Sequence, residues 1–152
     1  MSDLGLALLY DLGLYERIRL YTNEGCNSEV YVVRKTKADR EERIVKLIVH
    51  GEDDKDNTER GVIFNKKMRA SFWNEVHCQL VFKANGIRVP TIYRTIQRPG
   101  FSLIEMEKLV VLPTFLEDAD CLPQMIPPIC QSIVQLLSQL RQQKFTHGDL
   151  AL

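Results

Sequence analysis

Three apolar runs follow one another between Ile18 and Val49: IRLY at 18–21, EVYVVR at 29–34 and RIVKLIV at 43–49. The first two are joined by TNEGCNS, a polar link with one glycine, which predicts strand, tight turn, strand. The third is rich in β-branched residues and predicts another strand. A three-stranded antiparallel meander is therefore expected early in the chain, and the rest must be built onto that sheet.

The segment GEDDKDNTER, residues 51–60, is almost wholly polar and reads as a solvated loop. Between about Asn65 and Ala84 the residues Trp73, Val76, Leu80 and Ala84 recur at three- and four-residue steps, which predicts an amphipathic helix. Asn85-Gly86 supplies its left-handed stop. VPTIY at 89–93 and FSLIEME at 101–107 predict two more strands, with Arg98-Pro99-Gly100 turning between them. After a proline-punctuated connector, Pro127-Pro128 is suited to open a helix. Ile129, Ile133, Leu136, Leu137 and Leu140 form a stripe on it. The fold class expected is α+β: a five-stranded antiparallel sheet with one helix between its strands, then a further helix and a short loop bearing His147-Gly148-Asp149.

Composition narrows the function classes. Twenty basic side chains balance twenty acidic ones in 152 residues. No long-range field is available to hold nucleic acid or an anionic membrane. Cys26, Cys78, Cys121 and Cys130 form no CxxC pair, so reduced thiols in a cytoplasmic or nuclear protein are expected. The apolar stretch Leu4 to Leu14 is broken by Asp11 and two glycines and lacks a basic leader, and so reads as neither a membrane span nor a signal peptide.

The order of these elements and their residues resembles the protein-kinase superfamily over roughly Leu20 to Leu150. Asn23-Glu24-Gly25-Cys26-Asn27-Ser28-Glu29-Val30 aligns with the family's glycine-rich loop and keeps only its middle glycine. Such a loop brings backbone N–H groups close to phosphate oxygens, which a bare Cα allows. Ile44-Val45-Lys46 looks like the strand whose lysine holds the α- and β-phosphates. A lysine flanked by Val45 and Leu47 on a buried strand needs an anionic partner, and Glu75 is the candidate. FSLIEMEKL is similar to the fifth strand running into the hinge. The resemblance implies Met106 as gatekeeper, with Glu107 and Leu109 offering backbone groups to the adenine. Thr146-His147-Gly148-Asp149-Leu150 resembles the catalytic loop in an H-G-D-L form, in which Asp149 orients and deprotonates the attacking hydroxyl. From Glu75 to Asp149 is 74 positions, close to the family's separation. Val30 to Lys46 is 16, slightly long, and Lys46 to Glu75 is 29, an excess that the charged loop explains.

The resemblance implies an N-terminal extension at 1–17, a kinase-like small lobe and hinge at 18–109, and the beginning of a large lobe at 110–152. It implies catalytic roles for Asp149, Lys46 and Glu75. The nucleotide set is Asn23, Gly25, Ser28, Val30, Lys46, Met106, Glu107 and Leu109. ATP is the expected cofactor. No metal ligand is assigned: the family's Mg²⁺-binding asparagine falls five positions after the aspartate, two beyond Leu152, and its D-F-G aspartate has no counterpart in these residues. Mg²⁺ is expected only with a longer C-terminal half. Without it this chain is expected to bind ATP but to lack efficient phosphotransfer to a protein hydroxyl. Gly148 in place of the usual arginine removes activation-loop phosphorylation as a switch. The alternatives are a non-catalytic kinase-like module that regulates a full kinase, or a fragment of a small-molecule phosphotransferase of the aminoglycoside or choline type. The stripe Ile129 to Leu140 would then need a cover, through self-association or a protein partner.

Overall fold

The computed structural model describes residues 3–25, 28–50, 59–109 and 123–144, the side chains of 3 and 23–25 excepted. The elements are α1 (Asp3–Asp11), β1 (Arg17–Gly25), β2 (Ser28–Arg34), β3 (Arg43–Val49), α2 (Glu59–Ala84), β4 (Ile92–Arg98), β5 (Phe101–Glu107), a 3₁₀ turn at Pro123–Met125 and α3 (Ile126–Gln142). The protein is α+β. Among the described residues, five strands form one antiparallel sheet in the order β1-β2-β3-β5-β4. No helix among the described residues is long and apolar enough to cross a membrane.

The chain divides into two compact units. One takes the residues up to Gln79 together with Pro90–Lys108, and the other takes Leu80–Val89 together with the residues from Leu109 on.

In the first unit the sheet is covered on both faces, each by one helix. Alternation along the strands sends Tyr31, Val33, Val45, Leu47, Phe101 and Leu103 to one side, where they pack with Leu9 of α1 and with Tyr15. Ile48, Ile104 and Met106 go to the other, against Met68, Phe72 and Val76 of α2. Interior β5 carries apolar residues on both faces, and Phe101 through Met106 are buried without interruption, Ser102 and Glu105 among them.

Helix α1 occupies a stretch whose leucines spell no single periodicity. It approaches the sheet through Gly5: a Cβ there would overlap Glu29 Oε2 and the Tyr31 hydroxyl, which are themselves hydrogen-bonded at 2.6 Å. At an open helical site Gly→Ala gains about 1 kcal/mol. Here Gly5→Ala is expected to reverse that sign, because overpacking costs about 1–3 kcal/mol. A net loss of about 1 kcal/mol in urea denaturation is the expected result. A gain in stability means that α1 does not seat on β2.

Several expected boundaries move. Strand β1 runs on to Gly25 through much of the polar link, with register shifts on either side of Thr22 that absorb the irregular sequence. Helix α2 begins at Glu59 rather than near Asn65, with Glu59 favourably placed in the positive first turn. Its buried face is also different: Asn65, Met68, Phe72 and Val76 face inward, whereas Trp73 and Leu80 are more than half exposed. Only Val76 of the expected stripe lies in the core. Strand β4 lies at Ile92–Arg98 instead of 89–93, and a register shift between Ile92 and Arg94 turns Ile92 toward the α2 face and Ile96 toward the opposite core. Strands β3 and β5 span 43–49 and 101–107, as their apolar runs predict. Pro99-Gly100 makes a two-residue hairpin turn, Gly100 having φ 92°.

In the second unit, Gly86 (φ 75°) ends α2. Its N–H bonds Lys83 O, and the Ile87 N–H reaches Phe82 O at 2.9 Å, the paired bonds of a Schellman stop. Helix α3 carries prolines in its opening turn, where their missing N–H groups would have had no partner. Of its expected stripe Leu140 is buried, Ile129, Ile133 and Leu136 are half-buried and Leu137 is exposed. The loop at 51–58, the turn residues Cys26 and Asn27, the connector at 110–122 and the segment bearing His147-Gly148-Asp149 lie outside the described residues.

Candidate functional site

Lys46 occupies the middle of β3, opposite Val30 on β2 and Ile104 on β5. Strand alternation places it with Ile44 and Ile48 on the face that packs against α2. There Nζ meets Glu75 Oε2 at 2.6 Å, a charge-assisted hydrogen bond that ties β3 to the helix across 29 residues of sequence. Both side chains are just over one quarter exposed, so the pair borders solvent. Phe72 and Val76, on either side of Glu75 in the sequence, are buried against the sheet and fix the rotation of α2 that presents the carboxylate.

The other sequence-predicted residues are distributed as follows. Val30 and Ser28 are half-buried on β2. Asn23 and Gly25 lie at the end of β1. Met106 is buried opposite Ile44 and Ile92, in the cluster under α2. Glu107 donates its N–H to Thr91 O at 2.8 Å and accepts the Thr91 N–H on Oε2 at 3.1 Å, which holds the end of β5. Leu109 is exposed and belongs to the second unit. Asp149 lies outside the described residues. Lys46, Glu75 and Val30 are therefore brought to one neighbourhood, with Met106 on the same face of the sheet.

Two charged clusters have no counterpart among the sequence expectations. The first is centred on Glu105, which is fully buried on β5. Its Oε1 accepts from Arg43 at 2.7 Å, its Oε2 accepts the Tyr15 hydroxyl at 2.9 Å, and Arg94 stands at 3.7 Å. Arg43 also lies over the Tyr93 ring, 4.0 Å from its centroid. Burial, with the adjacent Glu105 carboxylate, pushes the Tyr15 hydroxyl well above the usual phenol range.

The second is centred on Glu42, just ahead of β3. It accepts from Lys108 and from Arg34, the latter at 2.9 Å, and Arg19 stands at 3.7 Å. The hydrogen bonds from Lys108 and Arg34 hold its carboxyl down at about 2. The signal for this cluster is present in the sequence: Arg17-Ile18-Arg19-Leu20 alternates at the strand period, which puts both arginines on one face.

Comparison with family models, with curated proteins and with solved structures found no match.

Proposed function

We propose that the chain is a kinase-like nucleotide-binding protein, related to enzymes that transfer the γ-phosphoryl group of ATP to a protein hydroxyl. Lys46 receives the α- and β-phosphates, and Glu75 orients it. The observation that supports this reading is the Lys46–Glu75 ion pair: a strand lysine held by a carboxylate from the helix that follows, at the one place where the resemblance requires such a pair. A lysine so held is aimed, which favours recognition of an anion. Val30, opposite Lys46, supplies an apolar surface for the base. By the resemblance, Asn23, Gly25 and Ser28 serve the phosphates and Met106 and Glu107 the adenine edge, while the roles of Leu109, in the second unit, and of Asp149, outside the described residues, rest on the resemblance alone.

The test is a thermal-shift and calorimetric titration with a non-hydrolysable ATP analogue. Saturable binding is expected, weakened at least tenfold by Lys46→Ala. Because the pair is partly solvated, the same substitution should change the stability of the free protein by no more than about 1 kcal/mol. Glu75→Gln, which keeps the lysine and loosens its aim, is expected to fall between the two. Absence of binding, or binding indifferent to Lys46→Ala, removes the assignment.

A further inference from the structure

A recess of about 300 Å³ opens on the first unit, and Tyr10, Arg17, Arg19, Val32, Arg34 and Glu42 line it with two neighbours, Glu16 and Ile18. It uses none of the residues assigned to the nucleotide. Pairing of β1 with β2 sets Arg17 opposite Arg34 and Arg19 opposite Val32, so the three guanidinium groups share one face while the Ile18 side chain packs into the core on the other. Like charges placed directly opposite in a sheet repel, and the Arg17–Arg34 pair is of that kind.

The local carboxylates do not neutralise this face. Glu42 is shared among Arg34, Arg19 and Lys108. Glu16 Oε2 accepts the Lys37 N–H at 2.6 Å. Three arginines line the recess against two carboxylates; with Lys108, which lies outside the lining but draws on the same Glu42, four cations stand against two, and among the described residues Arg17 makes no ion pair. The recess is not purely polar: Val32 is buried between the arginines, and the half-exposed Tyr10 ring contributes an aromatic wall from α1.

We propose that this recess binds a small phosphomonoester, its phosphate held by Arg17 and Arg34 and its organic group seated against Val32 and Tyr10. The guanidinium fork matches phosphate geometry with two parallel N–H···O bonds. A phosphomonoester carries between one and a half and two negative charges, roughly the excess that the four cations leave. A monocarboxylate balances only half of it. The volume is at the lower end for small-molecule sites and suits a ligand of one ring.

Phenyl phosphate, inorganic phosphate and benzoate are the probes, titrated at low salt by calorimetry and by backbone amide chemical shifts. Phenyl phosphate is expected to bind saturably, with shifts concentrated at residues 17–19 and 32–34. Arg17→Ala is expected to weaken it tenfold or more without lowering the melting temperature of the free protein, since that side chain is exposed and faces a like charge. Tyr10→Ala should weaken phenyl phosphate and leave inorganic phosphate unchanged, and Lys46→Ala should alter neither. Binding lost in Lys46→Ala but retained in Arg17→Ala overturns the proposal. So do benzoate binding as tight as phenyl phosphate, or no saturable binding of any probe.

Discussion

Glu105→Ala is expected to destabilise the protein by about 3–5 kcal/mol, the cost of removing one partner from a buried ion pair. The Glu105 carboxylate has no solvent exposure, and the Arg43 side chain retains only 18% of its own. Alanine at 105 leaves that guanidinium beside a void, with cation–π contact to Tyr93 and the exposed Glu41 carboxylate at 3.5 Å as its remaining compensation, and leaves the Tyr15 hydroxyl without its acceptor. Glu105→Gln keeps an acceptor and the volume, and is expected to lose about half as much. The discriminating measurement is the triple variant Glu105→Leu, Arg43→Met, Tyr15→Phe, which removes Glu105 and both of its hydrogen-bond donors at once and leaves the more exposed Arg94 to solvent. Buried ion pairs replaced by well-packed apolar groups are often neutral or better. Recovery of most of the lost stability in urea denaturation is therefore expected. An Ala variant within 1 kcal/mol of the parent would mean that the cluster is solvated.

Phe72→Ala is expected to cost about 3–5 kcal/mol, the range for deleting a buried aromatic ring. Its neighbour Trp73→Ala is expected to cost about 1 kcal/mol, the worth of an aromatic edge contact with little burial behind it. The two rings touch at 5.1 Å between centroids, nearly perpendicular. Phe72 is fully buried between α2 and the sheet, and Trp73 is 53% exposed. Adjacent substitutions of similar size thus separate the two possible inward faces of the helix. Equal losses at both positions would place the helix in a different rotation. Because Glu75 rides on that rotation, Phe72→Ala should also weaken binding of the ATP analogue, whereas Trp73→Ala should not.

How far the sequence could be read depended on whether the relevant interaction was local. Strands β3 and β5 are legible to the residue because they are apolar runs bounded by charge or a turn. The Gly86 stop and the proline-opened α3 follow from conformational limits carried by single residues. The Lys46–Glu75 pair was legible because a buried-strand lysine demands a partner, and one stood on the next helix. Other features depend on distant neighbours. Asn65 sits on the buried face of α2, where a polarity-based helical stripe passes over it, and Trp73 enters that stripe because its spacing to Val76 and Leu80 is helical. Glu105 is a lone charge on the face of Phe101 and Leu103, and the residue that accounts for its burial, Tyr15, lies 90 positions away. The start of α2 was hidden because Val62, Ile63 and Phe64 are apolar yet exposed, which blurs any helical period.

Both edges of the sheet carry positive charge in an interrupted register. Strand β1 presents Arg17 and Arg19 and shifts register twice against β2, and β4 presents Arg94 and Arg98 and shifts once against β5. An incoming strand, whether from a misfolded copy or a loose peptide, would have to match a broken hydrogen-bond ladder while packing against guanidinium groups. Uninterrupted, apolar edges recruit such strands and seed aggregation. The arginines that open a recess on one face of β1 therefore also keep that margin from acting as a template.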